Sequence, residues 1–302
     1  MGRDYFLDKD IVIDREGNIY MVYSNVNPYG YIYAMLKYVY TGKGLWRGYE
    51  RALKYYGVHN VLKLNQEFLL EPCQGVSFPV LRTSQISKHL KPEEKTLEII
   101  KHPNSKQHLA FLKIYEALNV SSVGVTGSLL ADIYHENSDV DIVVYGCKEA
   151  LDVMNNFSGF EEDSEWVIET VRNYKLPLDI VKSLYDKRTR GIVDGVKYSI
   201  LFVNPRPQRP CEEVCKRVGE VTIEADIESC CEALFYPSKV YLHNVRSSSS
   251  IKPELLISYE GIYSTLLFKA KRIEAKGMLV QCDRPIIVIG DRDVPGYVRR
   301  IL

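Results

Sequence analysis

Two carboxylates, Asp139 and Asp141, stand one residue apart at the head of an apolar run, Val140-Asp141-Ile142-Val143-Val144-Tyr145. Side chains alternate across a strand, so the pair projects from one face and can reach the same cation or cation pair. Carboxylates this close repel each other unless positive charge lies between them. Mg²⁺ answers that need, because it takes oxygen ligands and keeps substrate phosphates in its shell, and Mn²⁺ accepts the same hard donors. Two such ions about 4 Å apart can activate an attacking hydroxyl and stabilise a departing pyrophosphate. Upstream, Gly127-Ser128 follows a second short apolar run over 120–126. Glycine lets the backbone approach a phosphate closely, and Ser128 adds a hydroxyl. A helix expected over 129–134 offers free N–H groups and a positive dipole end to a triphosphate. Alone, a Gly-Ser or an Asp-x-Asp is ordinary turn or strand-end material. At this separation, between apolar strands and with Ser138 directly before the first aspartate, the two form a specific signal.

The block from Val123-Gly124-Val125-Thr126-Gly127-Ser128 to Asp139-Val140-Asp141 and Gly146 resembles the signature of the DNA polymerase beta nucleotidyltransferase superfamily. With the stretch 31–39 it also looks like a family of uncharacterised archaeal nucleotidyltransferases. The resemblance implies an enzyme that moves a nucleoside monophosphate from a nucleoside triphosphate to a hydroxyl. Gly127 and Ser128 would then lie at the nucleotide, with Asp139 and Asp141 as metal ligands. It also implies a third carboxylate on a strand beside the Asp-x-Asp strand. Of the downstream candidates, Asp152 falls in an expected helix and Asp163 in an acidic, exposed run. Asp186 stands among Lys187, Arg188 and Arg190 in what reads as a solvated loop, and Asp194 precedes Gly195 in a turn. Asp179 interrupts an apolar strand expected over 176–181, where a carboxylate is costly to bury without a cation or hydrogen-bond partner. Asp179 is therefore assigned as the third ligand, against the plainer reading of a strand-end aspartate facing solvent.

The elements that must hold these residues alternate along the middle of the chain. A helix starts at Pro92 with acidic residues behind it, and Phe111, Leu112, Tyr115 and Leu118 share a helical face. Strands are expected over 120–126, 140–145, 176–181 and 196–203, with helices near 148–157 and 166–172. This is a mixed-sheet α/β (α+β) domain over 93–206, ended by Pro205, Pro207 and Pro210. Before it, 1–92 reads as a β-rich domain, with strands at 11–13, 19–23 and 31–40 and a connecting stretch through Pro72 and Pro79. After it, 207–302 reads as a β-rich appendage, with strand-like runs at 240–242, 262–268 and 286–289.

Composition limits the choices further. With 46% hydrophobic and 26% charged residues, the chain can build cores and has no disorder signature. No apolar run reaches the roughly 20 residues that span a bilayer, and no signal-like h-region opens the chain, so a cytoplasmic location with no membrane partner is expected. The seven cysteines are scattered, so reduced thiols are expected. Cys211, Cys215, Cys230 and Cys231 form a candidate zinc set, although adjacent Cys230 and Cys231 depart from the usual knuckle spacing.

Lys and Arg balance Asp and Glu at 39 each, which excludes a polyanion-binding signature for the whole chain. Residues 1–92, however, hold 12 basic against 8 acidic residues, and 11 of the 22 tyrosines lie in the first 56 positions. Lys37, Lys43, Arg47, Arg51 and Lys54 are interleaved with Tyr38, Tyr40, Tyr49, Tyr55 and Tyr56, the mixture that single-stranded nucleic acid uses. The rival reading, favoured here, is that these rings fill a small β core. Three functions follow: nucleotide addition to an RNA end, nucleotidylation of a protein or small molecule, and non-catalytic RNA binding on the same scaffold.

Overall fold

Short β-branched runs need partners, and those of the N-terminal third find each other. The computed structural model describes residues 3–55, 57–71 and 73–301, so Tyr56 and Pro72 lie outside it. In it, Ile11–Asp14 pairs antiparallel with both Ile19–Val22 and Ile86–Leu90. Ile19–Val22 pairs in turn with the long strand Tyr31–Gly44, whose far half folds back through Trp46 onto Gly48–Arg51.

The chain forms two compact units, Met1–Lys54 with Val80–Trp166 and Asp186–Gln208, and Tyr55–Pro79 with Val167–Tyr185 and Arg209–Leu302. The first holds a four-stranded sheet in the order Arg190–Val193, Val196–Val203, Val140–Tyr145, Val123–Thr126. Its inner strand, Val140–Tyr145, runs parallel to Val196–Val203 and antiparallel to Val123–Thr126. Val140, Ile142, Val143 and Val144 are fully buried there, as a strand covered on both faces requires. Three helices accompany the sheet. Pro92–Lys101 carries Pro at its first turn with Glu93 and Glu94 behind it, the start expected from the sequence. Lys106–Leu118 is capped by Ser105, whose side chain accepts the His108 N–H, and it buries Ala110, Phe111, Ile114 and Leu118 on one face. Cys147–Asn156 buries Ala150, Val153 and Met154 at helical spacing.

The second unit contains a sheet in which Lys216–Glu228 pairs with Ser238–Ser247 on one side and with Arg272–Gln281 on the other. Leu255–Ser258 and Pro285–Ile289 complete the ring, so the sheet closes on itself, with Tyr297–Arg300 added outside Arg272–Gln281. Closure removes the open edges that invite aggregation. Burial alternates along Val221–Ile227 with a period of two, as a barrel wall demands.

Four expectations are corrected. Residues 178–184 form a helix, Leu178–Leu184, and not a strand. Ile180, Val181 and Leu184 are its buried residues, a helical spacing that a short apolar run does not reveal. Pro177 precedes it as cap, and Asp179 in its first turn favours the positive end of the helix. Likewise 262–268 is not a strand: Tyr263, Leu266 and Leu267 are buried on a 3₁₀ turn followed by the helix Ser264–Lys269. The helix after Gly-Ser is a single turn, Gly127–Leu130. Finally, the cysteines are not all reduced: Cys73 is bonded to Cys211 and Cys215 to Cys282. The Cys211, Cys215, Cys230, Cys231 set is thereby split, and Cys230 is exposed and free.

No helix among the described residues is long and apolar enough to cross a membrane.

Candidate active site

The strand Val140–Tyr145 and the loop before it decide where the two aspartates sit. Gln107, buried on the helix Lys106–Leu118, donates from Nε2 to the carbonyls of His135 (3.1 Å), Glu136 (2.7 Å) and Ser138 (3.5 Å). Ser138 is buried, and its hydroxyl accepts the His135 N–H at 3.0 Å. These bonds hold the loop 135–138 against the helix and so fix the approach to Asp139. Asp141 lies one residue into the strand, in register with Thr126 on one side and Ser199 on the other. Thr126 is tied down in turn, its hydroxyl donating to the Lys9 carbonyl at 2.6 Å.

Gly127 and Asp141 meet directly. Gly127 has φ +67°, and a Cβ there would lie 2.4 Å from Asp141 Oδ2. Only glycine combines that backbone angle with room for the carboxylate. Ser128, the next residue, is buried, and its carbonyl accepts the Ile133 N–H at 3.0 Å. The glycine-serine turn and the second aspartate of the pair therefore share one small volume. A one-turn helix carries little macrodipole, so any phosphate contact here rests on local N–H groups and the serine hydroxyl.

The surroundings of Asp141 disfavour its charged form. Burial, and then the neighbouring charge of Asp139, push its pKa up to about 6. Lys37, Arg190 and Arg51 oppose that rise without cancelling it. The oxygen pair is hard and anionic, which suits Mg²⁺ or Mn²⁺, and a bound ion would relieve the repulsion that the three side chains leave in place.

Those three cations were not assigned to the site by the sequence pattern. Lys37 comes from Tyr31–Gly44 and Arg51 from Gly48–Arg51, the two strands of the N-terminal hairpin. Arg190 begins the strand Arg190–Val193, paired with Ser199 one strand further from Asp141. The run Lys187-Arg188-Arg190 reads locally as solvent-facing, and only the sheet register turns Arg190 toward this row. Arg51 also stacks on Trp46, 4.7 Å from the ring centroid. The hairpin touches the loop before Asp139 as well: Trp46 and His135 have ring centroids 5.3 Å apart, and Arg47 lies 5.3 Å over Tyr134. Beneath these contacts Ile11, Ile19, Tyr38, Leu130 and Ile133 form one buried cluster.

The other candidate aspartates lie on different elements. Asp179 is exposed on its helix and is not on a strand beside Val140–Tyr145, whose neighbours are Val123–Thr126 and Val196–Val203. Asp163, read as exposed, is buried and accepts the N–H groups of Glu165 and Trp166 at the start of the helix Ser164–Tyr174. Asp186, read as solvated, is buried and ion-paired with Arg188 at 2.6 Å. Asp194 is exposed and pairs with Lys113 at 2.8 Å.

Comparison with known proteins identifies a domain in this part of the chain. Residues 106–202 match the nucleotidyltransferase domain family, so the chain contains that domain. An uncharacterized protein of Methanocaldococcus jannaschii is 28% identical over 177 residues, covering 53% of this chain and 51% of the relative. The chain thus spans about half the length of the curated relative it matches. No solved structure matches it.

Proposed function

We propose that this protein transfers a nucleoside monophosphate from a nucleoside triphosphate to the terminal hydroxyl of an RNA strand. The observation that carries the proposal is the packing of Asp141 against Gly127, beside Asp139 and within the field of Lys37, Arg51 and Arg190. Asp139 and Asp141 would hold divalent metal, Mg²⁺ or Mn²⁺. When bound, such ions lower the pKa of an attacking hydroxyl and neutralise charge on the phosphates. Ser128 and the Gly127 backbone orient the triphosphate. Lys37, Arg51 and Arg190 steer its anionic oxygens and offset the charge that grows on the leaving group. In the transfer, the acceptor oxygen forms a bond to the α-phosphorus, the bond from that phosphorus to the α,β-bridging oxygen breaks, and pyrophosphate leaves.

For the third ligand, Asp179 remains the candidate that the family resemblance supplies. A site with two carboxylates and three cations is the reading supported by the register of the sheet, where Ser199 and Arg190 stand in line with Asp141. RNA is preferred as acceptor because the hairpin that delivers Lys37 and Arg51 also carries Lys43 and Arg47, with Tyr40 59% exposed beside them. Tyr20, Tyr23, Tyr33 and Tyr38 are instead buried, so the exposed rings of this region are Tyr40 on the hairpin and Tyr29 and Tyr55 beside it in sequence.

The deciding experiment incubates the protein and Mg²⁺ with α-labelled nucleoside triphosphates, with and without total RNA. Label in RNA is expected. Label in protein or a small molecule would move the acceptor to that class, and no transfer to any acceptor would make the domain a non-catalytic scaffold.

A further inference from the structure

Far along the chain from the nucleotidyltransferase signature, four cysteines from three separate segments arrive at one strand end. Cys215 directly precedes the strand Lys216–Glu228, and Cys282 directly follows Arg272–Gln281. Lys216 and Gln281 are in register, so the barrel wall itself sets Cys215 beside Cys282, with Cα atoms 4.6 Å apart. The next residue, Arg217, donates to the Gly75 carbonyl at 2.8 Å and grips Asp291 at 2.6 Å, which anchors the loop carrying Cys73 to the same strand. Cys73 Sγ lies 2.7 Å from the Glu213 carbonyl, and Cys73 is bonded to Cys211, with Cα atoms 6.1 Å apart. A carboxylate oxygen accompanies each pair: Glu71 lies with Cys73 and Cys211, and Glu213 with Cys215 and Cys282, each set of ligand atoms lying within 4.8 Å of one another.

We propose that these four sulfurs, when reduced, bind one Zn²⁺, and that the two disulfides are the oxidised form of that site. A dithiol reductant supplies two electrons and two protons to each disulfide and is itself oxidised. Zn²⁺ then displaces four protons and takes four thiolates. Tetrathiolate zinc needs sulfurs about 3.8 Å apart around a centre about 2.3 Å away, closer than two separate pairs stand. The connecting residues Glu212, Glu213 and Val214 have no regular secondary structure and are exposed, Val214 at 91%, so the linker can draw Cys211 and Cys215 together without breaking a core. Cys211 is exposed and Cys215 and Cys282 are half-buried, which leaves both disulfides accessible to reductant. The barrel wall, which holds Cys215 and Cys282 in place, supplies the rigid half of the site.

The test uses the full chain, reduced, loaded with zinc and passed through gel filtration. One zinc per chain by elemental analysis is expected, with release of that zinc on mild oxidation. Co²⁺ substitution should give the intense sulfur-to-metal absorption of four thiolates. Cys211→Ser, an exposed change, and Cys282→Ser should each weaken zinc affinity at least tenfold, while Cys230→Ser should leave it unchanged. A reduced wild-type chain that retains no zinc and shows no Co²⁺ charge-transfer band would overturn the site. So would zinc that survives both Cys211→Ser and Cys282→Ser.

Discussion

Gly127 and Asp141 form a contact that no other residue pair of similar type could make. Substituting Gly127→Ala places a methyl group 2.4 Å from Asp141 Oδ2 at a backbone angle of +67°, so the carboxylate must move. We expect a transfer rate at least about a hundredfold lower, roughly 2.7 kcal/mol, with the fold retained by circular dichroism. Asp139→Asn should abolish transfer and also remove the rise in melting temperature that Mg²⁺ with a nucleoside triphosphate gives the wild type. Asp179→Asn separates the two readings of the site. A loss of about a hundredfold in transfer would support Asp179 as third ligand, and transfer within about threefold of wild type would support the site of two carboxylates and three cations. Elsewhere, Glu260 accepts the Val58 N–H at 2.9 Å, yet burial pushes its pKa up to about 7. An acid with a raised pKa favours the folded state while it is neutral. That contribution is whole below the ordinary carboxylate range and is lost as pH rises through about 7. Glu260→Gln should therefore raise the melting temperature at pH 8 and leave it unchanged near pH 4, the gain being on the order of 1–2 kcal/mol after solvent screening. Equal curves at both pH values would refute the assignment.

At the scale of elements, the helix Lys106–Leu118 acts on the site through one side chain. Gln107→Leu keeps volume but removes three donations to the loop 135–138. The buried Ser138 carbonyl left without its donor costs about 1 kcal/mol or more, and the part-buried carbonyls of His135 and Glu136 cost less because water can reach them. The loop should loosen, and transfer should fall about tenfold to a hundredfold through Asp139, more in kcat than in nucleotide affinity. An unchanged kcat would show that the loop is held by Ser138 alone. The hairpin is the second such element. Arg47→Ala combined with Lys43→Ala should weaken RNA binding and flatten its salt dependence while nucleotide binding stays within about twofold, as read by titration at two salt concentrations. Removing residues 1–92 outright is a poorer test, because Ile11, Ile19 and Tyr38 share a core with Leu130 and Ile133 directly below the site.

Across the whole molecule, the compact units are built from interleaved stretches of sequence. Ending the chain after Gln208 would leave 55–79 and 167–185 without the rest of their unit, exposing Leu64, Val76, Phe78, Ile180, Val181 and Leu184. Such a truncation should aggregate, and a soluble, cooperatively melting product would contradict that organisation. The sequence by itself determined which groups make the candidate centre: Gly127-Ser128 and Asp139-x-Asp141 stand out because residue type and backbone period are local facts. It also determined the strands that lead into and carry them, since Val123–Thr126 and Val140–Tyr145 are apolar runs bounded by turns. Only the tertiary structure decided which charges face Asp141, because Lys37, Arg51 and Arg190 reach it through strand register and hairpin packing between residues far apart in sequence. The same holds for Leu178–Leu184, where a short apolar run fits strand and helix alike until the surface it packs against selects the helix. It holds too for the cysteines, whose pairing depends on where three distant loops end.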